Sequence, residues 1–306
     1  MAGVAPTVGA MNKLSASDRA RILRLLCEGT SIRAVTRLTG ASKNTVAKLL
    51  VDAGKACAAY HDEHVRNVEA KRVQVDEIWA FTHCKQKNVA TAKAAPDDAG
   101  DVWTWTAIDA DSKLVLSYLV GGRDAEYANG FMLDVASRLK GRVQLTSDGL
   151  RAYLEAVEGV FGADVDYAQL VKSYGAVPDG TKGRYSPAEC TGIKKTSIEG
   201  KPDEAHVSTS YVERQNLTMR MHMRRFTRLT NAFSKKVENH AYAVALHFMY
   251  YNFVRLHARL RVSPAMAAGM TDRLWEIADI VALVEAADQK PGKRGPYRNR
   301  GQAGDE

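Results

Sequence analysis

The spacing of hydrophobic residues divides the chain into a short helical part and a longer part in which strands and helices alternate. Across residues 14–53, apolar positions recur at i, i+3 and i+4 in three successive runs, which predicts three helices. Polar residues that favour helix starts precede these runs at Ser17-Asp18, Thr30-Ser31 and Ser42. Three short helices in this order favour a helix-turn-helix unit, and a plain trihelical packing unit is the alternative.

From Arg72 the hydrophobic period changes from that of a helix to that of a strand. The segments RVQVDEIWAFTHC, DVWTWTAIDADS and KLVLSYLVGG predict three antiparallel strands. The segments AEYANGFMLDVASRLK, VQLTSD, RAYLEAVEGVFG and DYAQLVKSYG then predict helix, strand, helix and strand. This order favours an α/β fold of the ribonuclease-H-like kind, a mixed five-stranded sheet with flanking helices, preceded by a small all-α helix-turn-helix domain.

The same patterns suggest the boundaries of the parts. We predict a disordered leader (1–13), a helix-turn-helix domain (14–55), a linker (56–71), a ribonuclease-H-like domain (72–270) with an insertion (175–209), and a C-terminal helix with a basic disordered tail (271–306). The sequence of the linker predicts a helix or a helical connection. The insertion is rich in Gly, Pro, Lys and Thr and has little hydrophobic periodicity, as a long loop does.

Three acidic residues suggest a metal-dependent site. Asp76 lies on the first predicted strand, Asp148 ends the fourth, and these two strands are neighbours in such a sheet, while Glu213 begins a helix. Mg²⁺ takes oxygen ligands, and a pair of such ions can clamp the attacking and leaving oxygens of a phosphodiester. Glu77 follows Asp76 directly and is expected to point to the opposite face of the strand, so we do not expect it to be a ligand. Asp109 and Asp111 lie in a predicted turn.

Charge points to a polyanionic partner. Lys and Arg outnumber Asp and Glu by 43 to 35, and the pI is about 9.2. Residues 13–55 contain nine basic and three acidic residues, and residues 214–236 contain seven basic residues and no acid. The residues that we predict to contact DNA are Ser42, Lys43, Asn44, Lys48, Asn216, Arg220, Arg224 and Arg225.

The four cysteines are scattered, which favours a reducing, cytoplasmic location. No apolar run approaches the roughly 20 residues that span a bilayer, so we expect no membrane contact. Cys57, His61, His64, His83 and Cys84 are candidate ligands of a zinc site. Their spacing matches no known zinc pattern, so we expect no zinc.

Three segments carry a family resemblance. QVDEIWAF, TSYVERQNLTMRMHMRRFTRLTNAFSKKVENH and YYNFVRLHARLRVSPAMAAG resemble a bacterial insertion-sequence transposase of the DDE, integrase-like superfamily, in particular the insertion-sequence-one type. The resemblance covers about residues 70–270. It implies that Asp76, Asp148 and Glu213 are the catalytic, metal-binding carboxylates. It also implies that Arg220 contacts DNA and that Tyr251-Asn252, Arg255, His257 and Ser263-Pro264-Ala265 form a mainly structural closing element.

The resemblance implies an enzyme that cleaves at the ends of an insertion sequence and transfers the strand to target DNA. Such an enzyme would use Mg²⁺, with Mn²⁺ as a possible substitute. Its partners would be double-stranded DNA, both terminal repeats and target, and further copies of itself, as a dimer or larger. It would act in the bacterial cytoplasm at the nucleoid. A metal-dependent DNA nuclease of the same fold and a catalytically silent DNA-binding regulator are the alternatives.

Overall fold

The computed structural model describes residues 14–175, 190–227 and 231–288. The helices of these parts are α1 (Ala16–Cys27), α2 (Ile32–Thr39), α3 (Lys43–His64), α4 (Ala125–Arg138), α5 (Ala152–Phe161), α6 (Ser210–His222), α7 (Val237–Met249), α8 (Pro264–Ala267) and α9 (Ile277–Ala287). Short 3-10 turns lie at Gln86–Thr91, Glu204–His206 and Arg224–Phe226, and a π-helical turn, Tyr250–Val254, follows α7.

One mixed sheet lies at the centre of the molecule. Its strands are β1 (Arg72–Thr82), β2 (Gly100–Asp109), β3 (Val115–Gly121), β4 (Val143–Ser147), β5 (Val165–Tyr174) and β6 (Cys190–Glu199). The order across the sheet is β3-β2-β1-β4-β5-β6. Strands β1, β2 and β3 pair antiparallel, β4 and β5 run parallel to β1, and β6 is antiparallel to β5.

This topology confirms the predicted ribonuclease-H-like α/β class, and the first five strands and the helices between them lie where the sequence placed them. The prediction of five strands was wrong by one. Residues 190–199, predicted as part of an irregular insertion, form β6 on the edge of the sheet. Nine of the ten residues of β6 are exposed, so the strand has no buried face and no hydrophobic alternation that would have predicted it.

The three N-terminal helices are each capped by a serine. Ser15, Ser31 and Ser42 accept hydrogen bonds from backbone N–H groups in the first turns of α1, α2 and α3. The first helix therefore begins two residues before the predicted start. Helix α3 continues to His64, so residues 56–64 of the predicted linker are one helix with the preceding unit.

Helix α3 packs closely against α7. Gly54 permits this approach, because a Cβ atom built there would lie 2.4 Å from the Cβ of Tyr242 on α7. The helical unit and the sheet share one continuous hydrophobic core, to which α9 contributes Ile280 and Val284. The N-terminal helices are therefore packed on the rest of the protein and are not tethered beside it.

A buried polar network, here called the Arg138 network, ties α3, α4 and β3 together. The Arg138 guanidinium donates to both carboxylate oxygens of Asp134, at 2.7 and 2.9 Å, to Asp62 at 3.0 Å, and to the backbone carbonyls of His61 and Val65. The Ser117 hydroxyl donates to Asp134 at 2.5 Å. Every nitrogen of this buried guanidinium therefore has an acceptor.

The π-helical turn Tyr250–Val254 covers the edge of the sheet at β3. The Asn252 amide accepts from the Val115 N–H and donates to the Val115 carbonyl, both at 2.9 Å. A side-chain amide thus takes the place of a neighbouring strand and protects an edge that could pair with another chain. These contacts agree with the structural role expected for the Tyr251-Asn252 element.

Within the described residues, no helix combines the length and hydrophobicity that crossing a bilayer requires. Three predicted features fall wholly or partly outside those residues: the leader at 1–13, residues 176–189 of the insertion and the basic tail at 289–306. Two of the five candidate zinc ligands, Cys57 and His61, make contacts of another kind. Cys57 is buried in the core, and His61 lies 3.2 Å from the Val115 carbonyl.

Candidate active site

Two aspartates meet where the central strands separate. Strand β1 pairs with β4 through Gln74, which lies opposite Thr146, and the ladder stops there. Asp76 and Asp148 each lie two residues beyond that last pair, so the same register places them level with one another. The Leu150 N–H donates to Asp148 at 3.0 Å, which fixes the turn that follows β4.

Glu77 joins these two aspartates. The predicted alternation of faces is observed, because Asp76 meets α6 whereas Glu77 meets Tyr153 of α5. A ligand oxygen of each of Asp76, Glu77 and Asp148 nevertheless lies within 4.8 Å of the others. Glu77, which was not expected to be a ligand, therefore lies in the same group of carboxylates, and its role as a ligand stays open to test. Strand β2 still pairs with β1 at this level, but β4 no longer does, so carboxylates from both faces of β1 reach the gap on the β4 side.

We call Asp76, Glu77 and Asp148 the carboxylate cluster, and its electrostatics are unfavourable in the absence of a cation. Burial, with the nearby charges of Glu77 and Asp148, raises the pKa of Asp76 to about 7. Burial and Asp148 also raise the pKa of Glu77, although Arg123 donates to that carboxylate at 2.7 Å and Tyr153 at 3.1 Å. Like charges held together in a partly desolvated gap are typical of functional sites.

Helix α6 docks onto β1 through two polar side chains. The side-chain oxygen of Gln74, Oε1, accepts hydrogen bonds from the backbone N–H groups of Tyr211 and Val212, at 2.8 and 3.2 Å. A residue of β1 thus caps the N-terminus of α6. One turn further on, the Asn216 amide donates to Asp76 at 2.7 Å. Asn216, which was predicted as a DNA contact, is buried here and holds a carboxylate of the cluster.

Glu213 lies on the same helix, between these two contacts in sequence. Its carboxylate pairs with Lys172 of β5 and accepts from Thr209 at 2.6 Å. It is exposed and stands outside the carboxylate cluster, yet its charge contributes to raising the pKa of Asp76. The structure thus brings Asp76 and Asp148 together as predicted and leaves Glu213 nearby, held by a lysine.

The predicted DNA contacts fall into two groups. Ser42, Lys43, Asn44 and Lys48 are all exposed around the N-terminal turns of α3, where Lys48 also pairs with Asp52 at 2.5 Å. Arg224 is exposed after α6, and Arg220 is partly exposed on it. Arg225 is placed differently from its prediction. Its guanidinium donates to Ser234 within the protein, and burial lowers its pKa to about 10.

The residues present fit a hard divalent cation. The cluster offers carboxylate oxygens, the donor type that Mg²⁺ and Mn²⁺ prefer. The Asn216 carbonyl oxygen is buried beside Asp76 and has no hydrogen-bond partner in the described part of the chain. A cation would relieve the repulsion that raises the Asp76 pKa.

Sequence reasoning missed Gln74, Arg123 and Lys172, which position the acidic side chains. Gln74 lies two residues before Asp76, and thus on the same strand face, which is the one signal that could have indicated it. Arg123 and Lys172 are distant in sequence from their carboxylate partners. No local pattern connects them.

No protein-family model matches the chain, and no curated protein does. Among solved structures, a chain of the piggyBac transposase synaptic complex with hairpin DNA is similar at 8% identity and a TM-score of 0.42, covering 94% of this chain and 77% of that one. A chain of the simian T-cell lymphotropic virus intasome in complex with PP2A regulatory subunit B56 gamma is similar at 16% identity and a TM-score of 0.34, covering 82% and 74%.

A chain of the pre-cleavage Mos1 transpososome is also similar, at 12% identity and a TM-score of 0.21, with 78% of each chain covered. At these TM-scores the superpositions assign no residue of the site. The fold follows from the sheet order of this chain, and its chemistry from its own side chains.

Proposed function

We propose that the protein is a DNA transposase of the DDE kind, insertion-sequence-one type, which cleaves at the ends of an insertion sequence and joins the strand to target DNA. The observation that carries this proposal is the carboxylate cluster, in which Asp76 and Asp148 face each other across the gap between β1 and β4. A net charge of +8 suits a nucleic-acid substrate.

In this proposal Asp76, Asp148 and Glu213 hold divalent cations, Mg²⁺ or Mn²⁺. Such cations supply a lowered pKa for an attacking water or 3′-hydroxyl and neutralise charge on the transferring phosphate. Asn216 orients Asp76, and Arg123 and Tyr153 hold Glu77 beside them. Glu213 would turn from Lys172 toward Asp76, and Lys172 would then be available for a phosphate.

DNA would also be bound by the N-terminal helices, residues 14–55. Ser42, Lys43 and Asn44 are exposed at the N-terminus of α3, where backbone N–H groups and the helix dipole favour phosphate, and Lys48 lies one turn further on. Arg220 and Arg224 extend this contact at the far end of α6. Two DNA ends must be held for joining, so a dimer or larger assembly is part of the proposal.

The test is a strand-transfer reaction with purified protein, Mg²⁺ and labelled DNA carrying the ends of its own element. We expect joined products, and expect Asp148→Asn and Glu213→Gln to lower them by at least about a thousandfold, because several kcal/mol of transition-state stabilisation depend on the cations they hold. Glu69→Gln is the matched control. Its carboxylate is exposed and pairs with Lys140, and Glu69 precedes β1.

Each other outcome would point to a different function. Cleavage without joining would indicate a metal-dependent nuclease. DNA binding with neither reaction would indicate a regulator. Full activity in Asp148→Asn would remove the carboxylate cluster from the mechanism.

A further inference from the structure

Beyond the carboxylate cluster, β1 and β2 continue as a two-stranded ribbon with aromatic side chains on one face. Trp79 and Trp103 are a directly paired set across the two strands, and Phe81 follows on the same face. The ring centroids of Trp79 and Phe81 are 5.8 Å apart, and those of Phe81 and Phe233 are 5.1 Å apart. We call these four residues the aromatic ribbon.

The aromatic ribbon is open to solvent, unlike the part of the same face that lies nearer the sheet centre. Trp105, two residues from Trp103, is fully buried against Phe131 and Tyr153. All four ribbon residues are partly exposed. A contiguous group of exposed aromatic side chains, unlike a single one, is typical of an interaction site.

Cations lie over the rings of the ribbon. Lys85 Nζ is 5.7 Å from the Trp79 ring centroid, the Arg123 guanidinium carbon is 4.7 Å from that of Trp103, and Lys235 Nζ is 4.1 Å from that of Phe233. The nearby acids are engaged by the backbone: Asp101 accepts from the Gln86 N–H and Asp98 from the Val237 N–H. Rings interleaved with cations are the combination that binds single-stranded nucleic acid, by stacking bases and attracting phosphates.

The position of the ribbon relates it to the proposed chemistry. Glu77, Trp79 and Phe81 are two residues apart along β1 and so lie on the same face of the strand. Arg123 contacts both Glu77 and the Trp103 ring. Two residues of a strand span about 6.6 Å, close to the rise of about two nucleotides along one strand of a duplex. Bases on the ribbon would thus be about two to four nucleotides from a phosphodiester at the cluster.

We propose that the aromatic ribbon binds unpaired nucleotides of the strand that is cut or joined, stacking their bases on Trp79 and Trp103 and attracting their phosphates to Lys85, Arg123 and Lys235. The substrate would then be a DNA end whose last nucleotides are unpaired at the active site. This inference rests on the proposed function for its biological meaning. The binding itself can be measured without any reaction.

The experiment is fluorescence anisotropy in EDTA with two probes, a blunt duplex and the same duplex with a single-stranded overhang. We expect the overhang to tighten binding about tenfold, and expect the double variant Trp79→Leu with Phe81→Leu to abolish that preference while blunt-duplex affinity stays within about twofold. Trp275→Phe is the matched control, because Trp275 also has an arginine over its ring but packs against Tyr60 and Phe253 in the helical layer.

A second variant covers the case in which the double substitution does not fold. Lys85→Gln with Lys235→Gln leaves the rings in place and should weaken overhang binding more than blunt-duplex binding. No overhang preference in the wild type, or a preference that survives both variants, would overturn the inference. Overhang preference without Mg²⁺-dependent cleavage would support binding by the aromatic ribbon and refute the proposed transposase. Cleavage without overhang preference would support the transposase and refute binding by the ribbon.

Discussion

The protein buries carboxylates in two places and satisfies them in opposite ways. In the Arg138 network, burial raises the pKa of Asp134, but hydrogen bonds from Arg138 and Ser117 outweigh it and hold that pKa below its ordinary value. In the carboxylate cluster, burial and like charges raise the pKa of Asp76 to about 7. The first group stabilises a charged acid with an arginine, and the second brings three acids together with an arginine beside only Glu77 among the described residues.

The opposite pKa shifts of Asp134 and Asp76 distinguish a group that stabilises the fold from a group arranged for a ligand. A fully hydrogen-bonded network such as the Arg138 network rigidifies the fold. Repulsion among the acids of the carboxylate cluster lowers the stability of the protein, and a bound cation would relieve it. If this comparison holds, substitutions in the two groups should move stability in opposite directions.

The largest effect on stability is expected from the satisfied group. Arg138→Leu removes the partner of Asp134 while the acid stays partly buried, and we expect the free energy of unfolding to fall by about 3 kcal/mol. Denaturant unfolding measures this. Arg66→Leu is the matched control, because Arg66 pairs with the same Asp62 but is much more exposed, and it should cost about 1 kcal/mol or less. Equal losses in the two variants would show that the Arg138 network is not special.

The next effect should have the opposite sign. An Asp76 pKa raised from 3.8 to about 7 in the folded protein means that stability present below pH 4 is lost as the pH rises through 7. Without metal at pH 8, we therefore expect Asp76→Asn to unfold with a free energy about 2 kcal/mol higher than the wild type. The substitution keeps an acceptor for Asn216.

Thermal unfolding in EDTA at pH 5 and pH 8 distinguishes the causes. The gain should be present at pH 8 and much smaller at pH 5, where Asp76 is protonated in the folded wild type. Mg²⁺ added at pH 8 should then stabilise the wild type more than the variant. A gain of the same size at both pH values would mean that charge repulsion is not its source.

The smallest effect concerns Glu77, which has features of both groups. It lies in the carboxylate cluster, but Arg123 and Tyr153 already hold its oxygens. We expect Glu77→Gln to lower strand transfer only about tenfold, as the loss of an outer partner does, far less than Asp148→Asn. Parallel rate measurements decide this. A loss in Glu77→Gln as large as that in Asp148→Asn would make Glu77 a metal ligand in its own right.

The sequence predicted most of the fold because most of the fold is built from buried faces. Strands β1 to β5 alternate or are continuously apolar, and the helices between them repeat apolar residues at helical spacing. Strand β6 was missed because it is held to β5 by backbone hydrogen bonds and not by buried side chains. Its side chains are exposed and so carry no signal.

The site was predicted in part for the same reason. Asp76 and Asp148 follow from the strand order, since β1 and β4 are neighbouring parallel strands and the two aspartates lie level in their register. Glu77 was excluded by the rule of alternating faces, which assumes that a neighbouring strand separates the two faces. The gap beyond Gln74 and Thr146 removes that separation. The burial of Asn216 was not predicted, because α6 is docked on β1 by Gln74, a residue far from it in sequence.

Helix α3 has a mechanical consequence. It runs without a break for 22 residues, about 33 Å, from the exposed cap at Ser42 to the end held by Arg138. A continuous helix packed on α7 and α9 has no hinge. If the first turn of α3 binds DNA as proposed, that turn and the carboxylates would move together as one rigid unit. The angle between a bound DNA end and the carboxylate cluster would then be set by the protein before any DNA arrives.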